Sequence, residues 1–375
     1  MPAVRNVLVI GAGAAGTAAA ILLADGGATV DLAEAKPTVT ALGSGITVQG
    51  NALRVLRQLG VYDQVLSCGY AFNTLGMRLP DEAGTLVNEM EDVRSGGPDL
   101  PATIGMYRPD LAQILIDRAV AAGAKLRLGT SAANLAQDAD GVDVTFSDGS
   151  TGRYDLVVGA DGIHSWTRRA IGIDVEPAPV GMGIWRVFAK RPASVVRTDL
   201  IFGGRCYIAG YCPTGEDTLY AYLVEDYQDR SGLSAKEGLA VMRDLAASYH
   251  GPWDDIRQHM TDPSRVNYTS FDSHLVPGPW NRGRVVLIGD AAHSCPPNLA
   301  QGAAQALEDA AVLAELVLAR EDLEDVWPEF MARRYDRAKT VVDTCVQLCQ
   351  WLLAHEQGDV PAAMGRVFSL IAQPA

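Results

Sequence analysis

No apolar run in this chain approaches the roughly 18 residues that a bilayer-spanning helix needs, so no membrane span is expected. Cysteine is sparse and unpatterned. The six (Cys68, Cys206, Cys212, Cys295, Cys345 and Cys349) show no zinc-type or redox CxxC spacing, so neither a metal site nor a disulfide framework is expected. Basic residues are in deficit, 31 against 45 acidic, for a net charge of -14. With an isoelectric point near 4.8, this argues against nucleic acid and anionic membrane as partners. No repeat or low-complexity segment is present. The first apolar run leads into glycines and not into a cleavage site, so no signal peptide is expected and a reducing cytoplasmic location is.

What remains is 375 residues with 48% hydrophobic content, enough for a substantial core in two domains or one large domain with an insertion. The opening reads as an α/β fold. Asn6 to Ile10 predicts a buried strand, followed by Gly11-Ala-Gly13-Ala-Ala-Gly16 and a helix to about Asp25. Gly11 permits the tight turn, Gly13 lets backbone approach a pyrophosphate, and Gly16 lets helix pack on strand. A second strand, Ala28 to Ala33, ends at Glu34, near the offset of about 20 residues expected of a ribose-binding acid. The pattern predicts a dinucleotide without choosing between NAD and FAD. Next, glycines flank Ile46-Thr47 in a loop able to lie flat on a ring system, and Asn51 is expected to cap a helix bearing Leu53, Leu56 and Leu59.

Strand-like pieces at Leu75 to Leu79 and Thr85 to Glu89 suggest a first crossing into a second domain. Arg108-Pro109 opens an alanine-rich helix to about Ala122, Pro109 suiting a first helical position. Arg108 is either a phosphate partner or a surface arginine. Lys125 to Leu128, Gly141 to Phe146 and Gly152 to Val158 read as strands, the last delivering Asp161 at a glycine turn, where it holds a ligand or terminates the strand. From about Val180 to Asp272 alternation takes over, predicting antiparallel strands at Ile184 to Phe188, Asp199 to Phe202, Arg205 to Tyr211 and Thr218 to Val224. This sheet offers Arg186, Arg205, Tyr207, Tyr211, Tyr220 and Tyr222 as contacts, with Tyr220 and Tyr222 on one face.

The stretch Arg284 to Ala310, RVVLIGDAAHSCPPNLAQGAAQALEDAA, organises the rest. Val285 to Ile288 is a short buried strand with Asp290 at its carboxyl end, where open α/β sheets bind ligands. Pro296 and Pro297 exclude helix, and a helix begins near Gln301. A carboxylate and a positive helix end are thus aimed at one place. Amphipathic helices follow Leu323.

Three ordered motifs, GAGAAG with Glu34, DLVVGADGIHSWTRR from Asp155, and the Arg284 stretch, make the chain resemble class A flavoprotein monooxygenases of the p-hydroxybenzoate hydroxylase and salicylate hydroxylase-like family. The resemblance covers nearly the whole chain. It implies a Rossmann-type FAD-binding domain (1–74, 102–178 and 270–320), an inserted antiparallel-sheet substrate domain (75–101 and 179–269) and C-terminal helices (321–375). FAD would be held by Gly11, Gly13, Ala15, Gly16, Glu34, Ala35, Thr47, Arg108, Asp161, Asp290, Gly302 and Ala303. Glu34 would take the adenosine ribose and Asp290 the ribityl chain, while Asp161 would serve both FAD and the reduced nicotinamide. Two departures stand out. Ala300-Gln301-Gly302 replaces the usual GQG, and Thr40, Ala41 and Leu42 stand where many members carry arginine or lysine.

The family chemistry implies NADH or NADPH as co-substrate, dioxygen activated as a flavin hydroperoxide, and an activated aromatic or heteroaromatic small molecule as acceptor. The protein would act as a monomer or homodimer. Tyr220 is the leading substrate contact, because related pyridine-ring oxygenases place a tyrosine seven residues after the strand proline, here Pro213. Their arginine, five residues before that proline, is Ile208 here, and Arg205 is the nearest substitute. His293 and Pro296 are further pocket candidates. The alternative class is a flavin-dependent reductase or oxidase without ring oxygenation, which keeps the same cofactor motifs.

Overall fold

The computed structural model describes residues 4–39 and 44–375, so Thr40, Ala41, Leu42 and Gly43 lie outside the described residues. Apolar residues on consecutive positions place the Asn6–Ile10 strand in the middle of a six-stranded sheet, buried on both faces. Thr29–Glu34 and Leu156–Gly159 flank it in parallel, and Val285–Leu287 pairs outside the latter. Helix Ala14–Asp25, eight of its twelve residues alanine or leucine, packs between this sheet and helix Gly302–Ala319.

A second, eight-stranded sheet carries the alternating segment. Its order runs His293–Ser294, Val266–Leu275, Ala178–Lys190, Thr218–Asp226, Ile208–Pro213, Thr198–Phe202, Thr74–Arg78 and Leu86–Glu91. One face packs on helices Ala235–Ala246 and Pro252–His259 through Trp185, Tyr211, Leu223 and Trp253. Its other face carries Ile184, Ile208, Tyr222 and Val224 toward the long helix Val326–Leu353. A three-stranded sheet, Gly45–Gln49, Thr103–Tyr107 and Tyr70–Phe72, bridges the two. Its contact with the large sheet is close: a Cβ on Gly45 would strike the Tyr220 ring, and one on Gly105 would strike the Pro213 carbonyl.

Several expectations are revised. Asn51 does not cap its helix; Gly50–Gln58 starts after Gln49, and Asn51 lies buried inside it, donating to Gln301 and Glu308. Gly152 to Val158 is two strands in different sheets, Thr151–Tyr154 and Leu156–Gly159, because the chain turns at Asp155. Ala132–Gln137 is an additional strand whose mostly exposed residues gave no alternation to read. The strand expected from Arg205 begins only at Ile208, after the positive-φ pair Gly203-Gly204. Val266–Leu275 runs through the expected domain boundary at 269/270.

The helix Gly302–Ala319 buries two adjacent acids, Glu308 and Asp309. Arg334, on the long helix, reaches both, with Nε 2.7 Å from Asp309 and Nη1 3.0 Å from Glu308. Arg337 adds two bonds of 2.7 Å to Glu308. Burial alone would raise the Asp309 carboxyl, but the charges of His293 and Arg334 hold it down at about 2. Removing one partner of a buried charge cluster costs about 3–5 kcal/mol, since the other charge is left unpaired in a medium that solvates it poorly. Arg334→Met should therefore lower unfolding free energy by about that amount in urea denaturation; a variant as stable as the parent would show that the cluster does not anchor the fold.

Candidate active site

Two cavities are lined by near neighbours on the same two segments, Ile46 and Thr47 on one and Ala300 and Ala303 on the other. The first, of about 240 Å³, is lined by Gly13, Glu34, Arg108 and Ala303, bringing together residues from three separated motifs. Gly11 sits at φ +103°, and a Cβ there would meet the Ala160 carbonyl at 2.3 Å, so only glycine fits this turn. A Cβ on Gly16 would lie 1.9 Å from the Gly11 carbonyl, which fixes helix against strand. Gly13 and Gly302 face open space instead. Both helices start without a side-chain cap, leaving backbone N–H groups free to receive a negative ligand. Glu34 accepts from Ala12 N at 2.9 Å, which orients its carboxylate along the glycine turn. Ala35 is exposed just beyond, and Ala15 is buried, its methyl packed against Gly289.

Asp290 stands in the turn that follows Val285–Leu287 and forms no hydrogen bond or ion pair among the described residues. The surrounding protein disfavours its charge, holding the carboxyl above the ordinary range even though its surface is open to solvent; His293 and Arg108 offset this only in part. A carboxylate with no internal donor fits a ligand hydroxyl. The turn itself is held from behind, because Asp309 accepts from Gly289 N at 2.8 Å and contacts His293 Nε2 at 2.7 Å. Asp161 is engaged by its own turn, accepting from Ser165 Oγ, Thr167 N and Thr167 Oγ1. It lies beside Gly11, whose added Cβ would come within 3.0 Å of the Asp161 Cα.

The second cavity, of about 170 Å³, lies between the large sheet, strand Gly45–Gln49 and the last two helices. Tyr220 and Tyr222 both line it, as their shared face requires, with ring centroids 5.6 Å apart. The Tyr220 hydroxyl is 2.7 Å from Thr47 Oγ1. Burial raises both phenols far above their usual range, so each is protonated at neutral pH. Asp92 is the one carboxylate among the described lining residues. It accepts from Thr103 Oγ1 and Val93 N, both at 2.8 Å, yet burial outweighs these bonds and raises its carboxyl.

Three expected pocket residues lie elsewhere. Arg205 is on the outer surface, bonded to the Asp244 carboxylate and carbonyl, because its segment is a turn and not a strand facing the cavity. His293 is buried behind the Gly289 turn against Trp280, at 5.0 Å between centroids. Pro296 is buried, and Pro297 lines the cavity in its place. Tyr207 bonds to Asp226 and Tyr211 to Asp199, both away from the cavity. Sequence reasoning missed Asp92, which follows an exposed strand without periodic signal, and the roof of Cys349, Leu352, Met364 and Phe368.

The chain matches the FAD binding domain family over residues 5–344. It is 31% identical to 3-amino-4-hydroxybenzoate 2-monooxygenase of Streptomyces cremeus, over 88% of this chain and 82% of that one. It is also 31% identical to 2-heptyl-3-hydroxy-4(1H)-quinolone synthase of Pseudomonas aeruginosa, over 83% and 80%. Its fold superposes with a TM-score of 0.82 on a crystal structure of a mutant 2-methyl-3-hydroxypyridine-5-carboxylic acid oxygenase, at 25% identity and covering 98% and 96% of the two chains. The chain belongs to this FAD-binding family, among the class A flavin-dependent aromatic monooxygenases.

The first cavity fits FAD on its own geometry, with an unobstructed Gly13 and two uncapped helix starts; Asp290, outside its lining, has no partner among the described residues and sits beside Gly289, which approaches Ala15 and Ala306 of the same two helices. A hydrogen bond to a charged group contributes about 1.5–3 kcal/mol, so Asp290→Ala should weaken FAD binding roughly 10- to 100-fold by fluorescence titration of apoprotein. Unchanged affinity would remove Asp290 from the cofactor site.

Proposed function

We propose that this protein uses NADH or NADPH and dioxygen to hydroxylate a small hydroxylated aromatic or heteroaromatic ring. One observation carries the reading: the nucleotide cleft and the apolar cavity are lined by near neighbours on the same two segments. Ile46 lines the first and the adjacent Thr47 the second, and at the helix start Ala303 lines the first and Ala300 the second. A ring held in the second cavity is therefore next to whatever the first one delivers. When bound, FAD supplies the redox chemistry, taking two electrons from reduced nicotinamide and passing them to dioxygen.

The remaining work belongs to the chain. Leu200, Val224, Phe271, Leu352 and Phe368 line the cavity with hydrocarbon, which excludes water that would divert activated oxygen. Tyr220, fixed by Thr47, orients the ring through its hydroxyl. Asp92 accepts the proton of a ring hydroxyl, making the ring more electron-rich. Two of the named relatives support this substrate type, since their names give a hydroxylated benzoate or pyridine ring as the compound acted on. We assign residues 1–74, 102–178 and 270–320 chiefly to cofactor binding, and 75–101 with 179–269 to substrate binding. The helices in 321–375 roof the substrate cavity.

The test is to supply holoenzyme with hydroxylated benzoates, pyridines and quinolones. Reduced-nicotinamide oxidation should be stimulated by the true substrate, and one atom of labelled dioxygen should enter the product. Stimulation with no label in any product would favour a reductase or oxidase instead. A base works only when ionised, and Asp92 titrates above the usual carboxylate range. Turnover should accordingly fall on the acid side through a pKa raised above that of an ordinary aspartate. Asp92→Asn should lower kcat roughly 100-fold, within the usual reach of general-base catalysis, and erase that acid limb; a variant retaining the limb would clear Asp92 of this role.

A further inference from the structure

The floor of the substrate cavity is a four-stranded part of the large sheet, where register arranges the side chains in rows. Strands Ala178–Lys190, Thr218–Asp226, Ile208–Pro213 and Thr198–Phe202 lie side by side in that order. One row holds Phe188, Tyr220 and Cys212. The next holds Arg186, Tyr222, Gly210 and Leu200, and the third holds Ile184, Val224, Ile208 and Phe202. Residues two apart on a strand share a face, so all three rows look the same way. Every member of the third row lines the cavity, as Tyr220 and Tyr222 do.

The first row marks the cofactor end. Tyr220 bonds to Thr47, which follows Ile46 in the wall of the nucleotide cleft. The third row stands four residues further along each strand, roughly 13 Å away at about 3.3 Å per residue. Polarity falls along that path. The third row is hydrocarbon on all four strands, and Met182, Phe271 and Leu352 pack with it. The middle row does not divide the space. Tyr222 lies across Gly210, where an added Cβ would meet its ring at 2.5 Å, so the phenol stays low on the sheet.

The far end also opens outward. Phe202 lines the cavity and is nevertheless 45% exposed, with the Gly203-Gly204 turn directly after it. A lone exposed phenylalanine needs no explanation, but this one continues an apolar row that begins inside. A single six-membered ring seated against Tyr220 does not span the distance to that row. We propose, on the footing of the hydroxylase reading above, that the substrate ring carries an alkyl chain of several carbons, which rests on the Ile184, Val224, Ile208 and Phe202 row and ends at the Phe202 mouth. The polar end of the molecule is thereby turned toward Thr47 and the reacting ring is held at the cofactor end, while the chain sets which rings are accepted.

Anaerobic titration of holoenzyme with phenol and its 4-ethyl, 4-butyl and 4-hexyl derivatives tests this, read by perturbation of flavin absorbance without turnover. Affinity should rise about three- to fourfold for each methylene that is buried. Ile208→Asn should flatten that rise with FAD content unchanged. Phe202→Ser, at a half-exposed position, should remove chiefly the gain from butyl to hexyl. Equal binding across the series, binding of none of it, or the parent's rise kept in both variants overturns the proposal. Should Ile208→Asn not fold, the parent series and Phe202→Ser still decide it. A chain-length dependence in a protein that oxygenates no ring would count against the hydroxylase reading and leave the apolar subsite standing. Oxygenation of simple rings with no gain from the chain would do the reverse.

Discussion

Glu308 and Asp309 sit side by side on helix Gly302–Ala319 where solvent does not reach them, and the geometry of the cofactor cleft depends on how they are neutralised. Arg334 and Arg337 come from the long helix that follows, so the charge cluster bolts that helix to the body of the fold. Asp309 then has one oxygen left for the Gly289 N–H and His293, which holds the turn presenting Asp290. Glu308 meanwhile accepts from Asn51, which also bonds to Gln301 at the start of the same helix. A single buried cluster thereby locks the two features we assign to the cofactor in this region, a carboxylate and an open helix end.

The halves of the molecule differ in how far they could be read from sequence. The nucleotide half is specified by backbone geometry over short stretches: Gly11 at positive φ, Gly16 against a carbonyl, Glu34 at a strand end. Such requirements leave a local residue signature, so Gly13 and Glu34 stood out by spacing, whereas Arg108 and Ala303 were named only through the family resemblance; all four line one cavity. The LEDA segment was legible as helix but not as a charge cluster, since the arginines that neutralise it lie 25 to 29 residues downstream. Buried acids on an otherwise apolar helix face are the signal that was available, because acids are seldom fully buried without partners.

The substrate half is specified by register and by elements that meet only in three dimensions. Alternation correctly put Tyr220 and Tyr222 on one face, but it could not say which face met the cavity. Choosing Arg205 over Arg186 followed from proximity to a proline in the chain, whereas cavity position is set by pairing across Ala178–Lys190, Thr218–Asp226 and Ile208–Pro213. Asp92 and Phe368 reach the same space from opposite ends of the chain, with no spacing that links them.

The departure at Ala300 joins the two halves. Its backbone is left-handed, at φ 53° and ψ 30°, the conformation for which glycine, the family's usual residue there, carries no penalty. Holding alanine there costs roughly 1–2 kcal/mol, so the surrounding contacts must enforce the turn. Gln301 does so through bonds with Gln49, Asn51 and Gln305, all within the polar network that Glu308 anchors. The added methyl lies at the wall of the substrate cavity, where glycine would leave more room and a looser loop. Space for the ring and rigidity of the helix start that serves the cofactor are thus set by one residue, and both depend on the same buried charges.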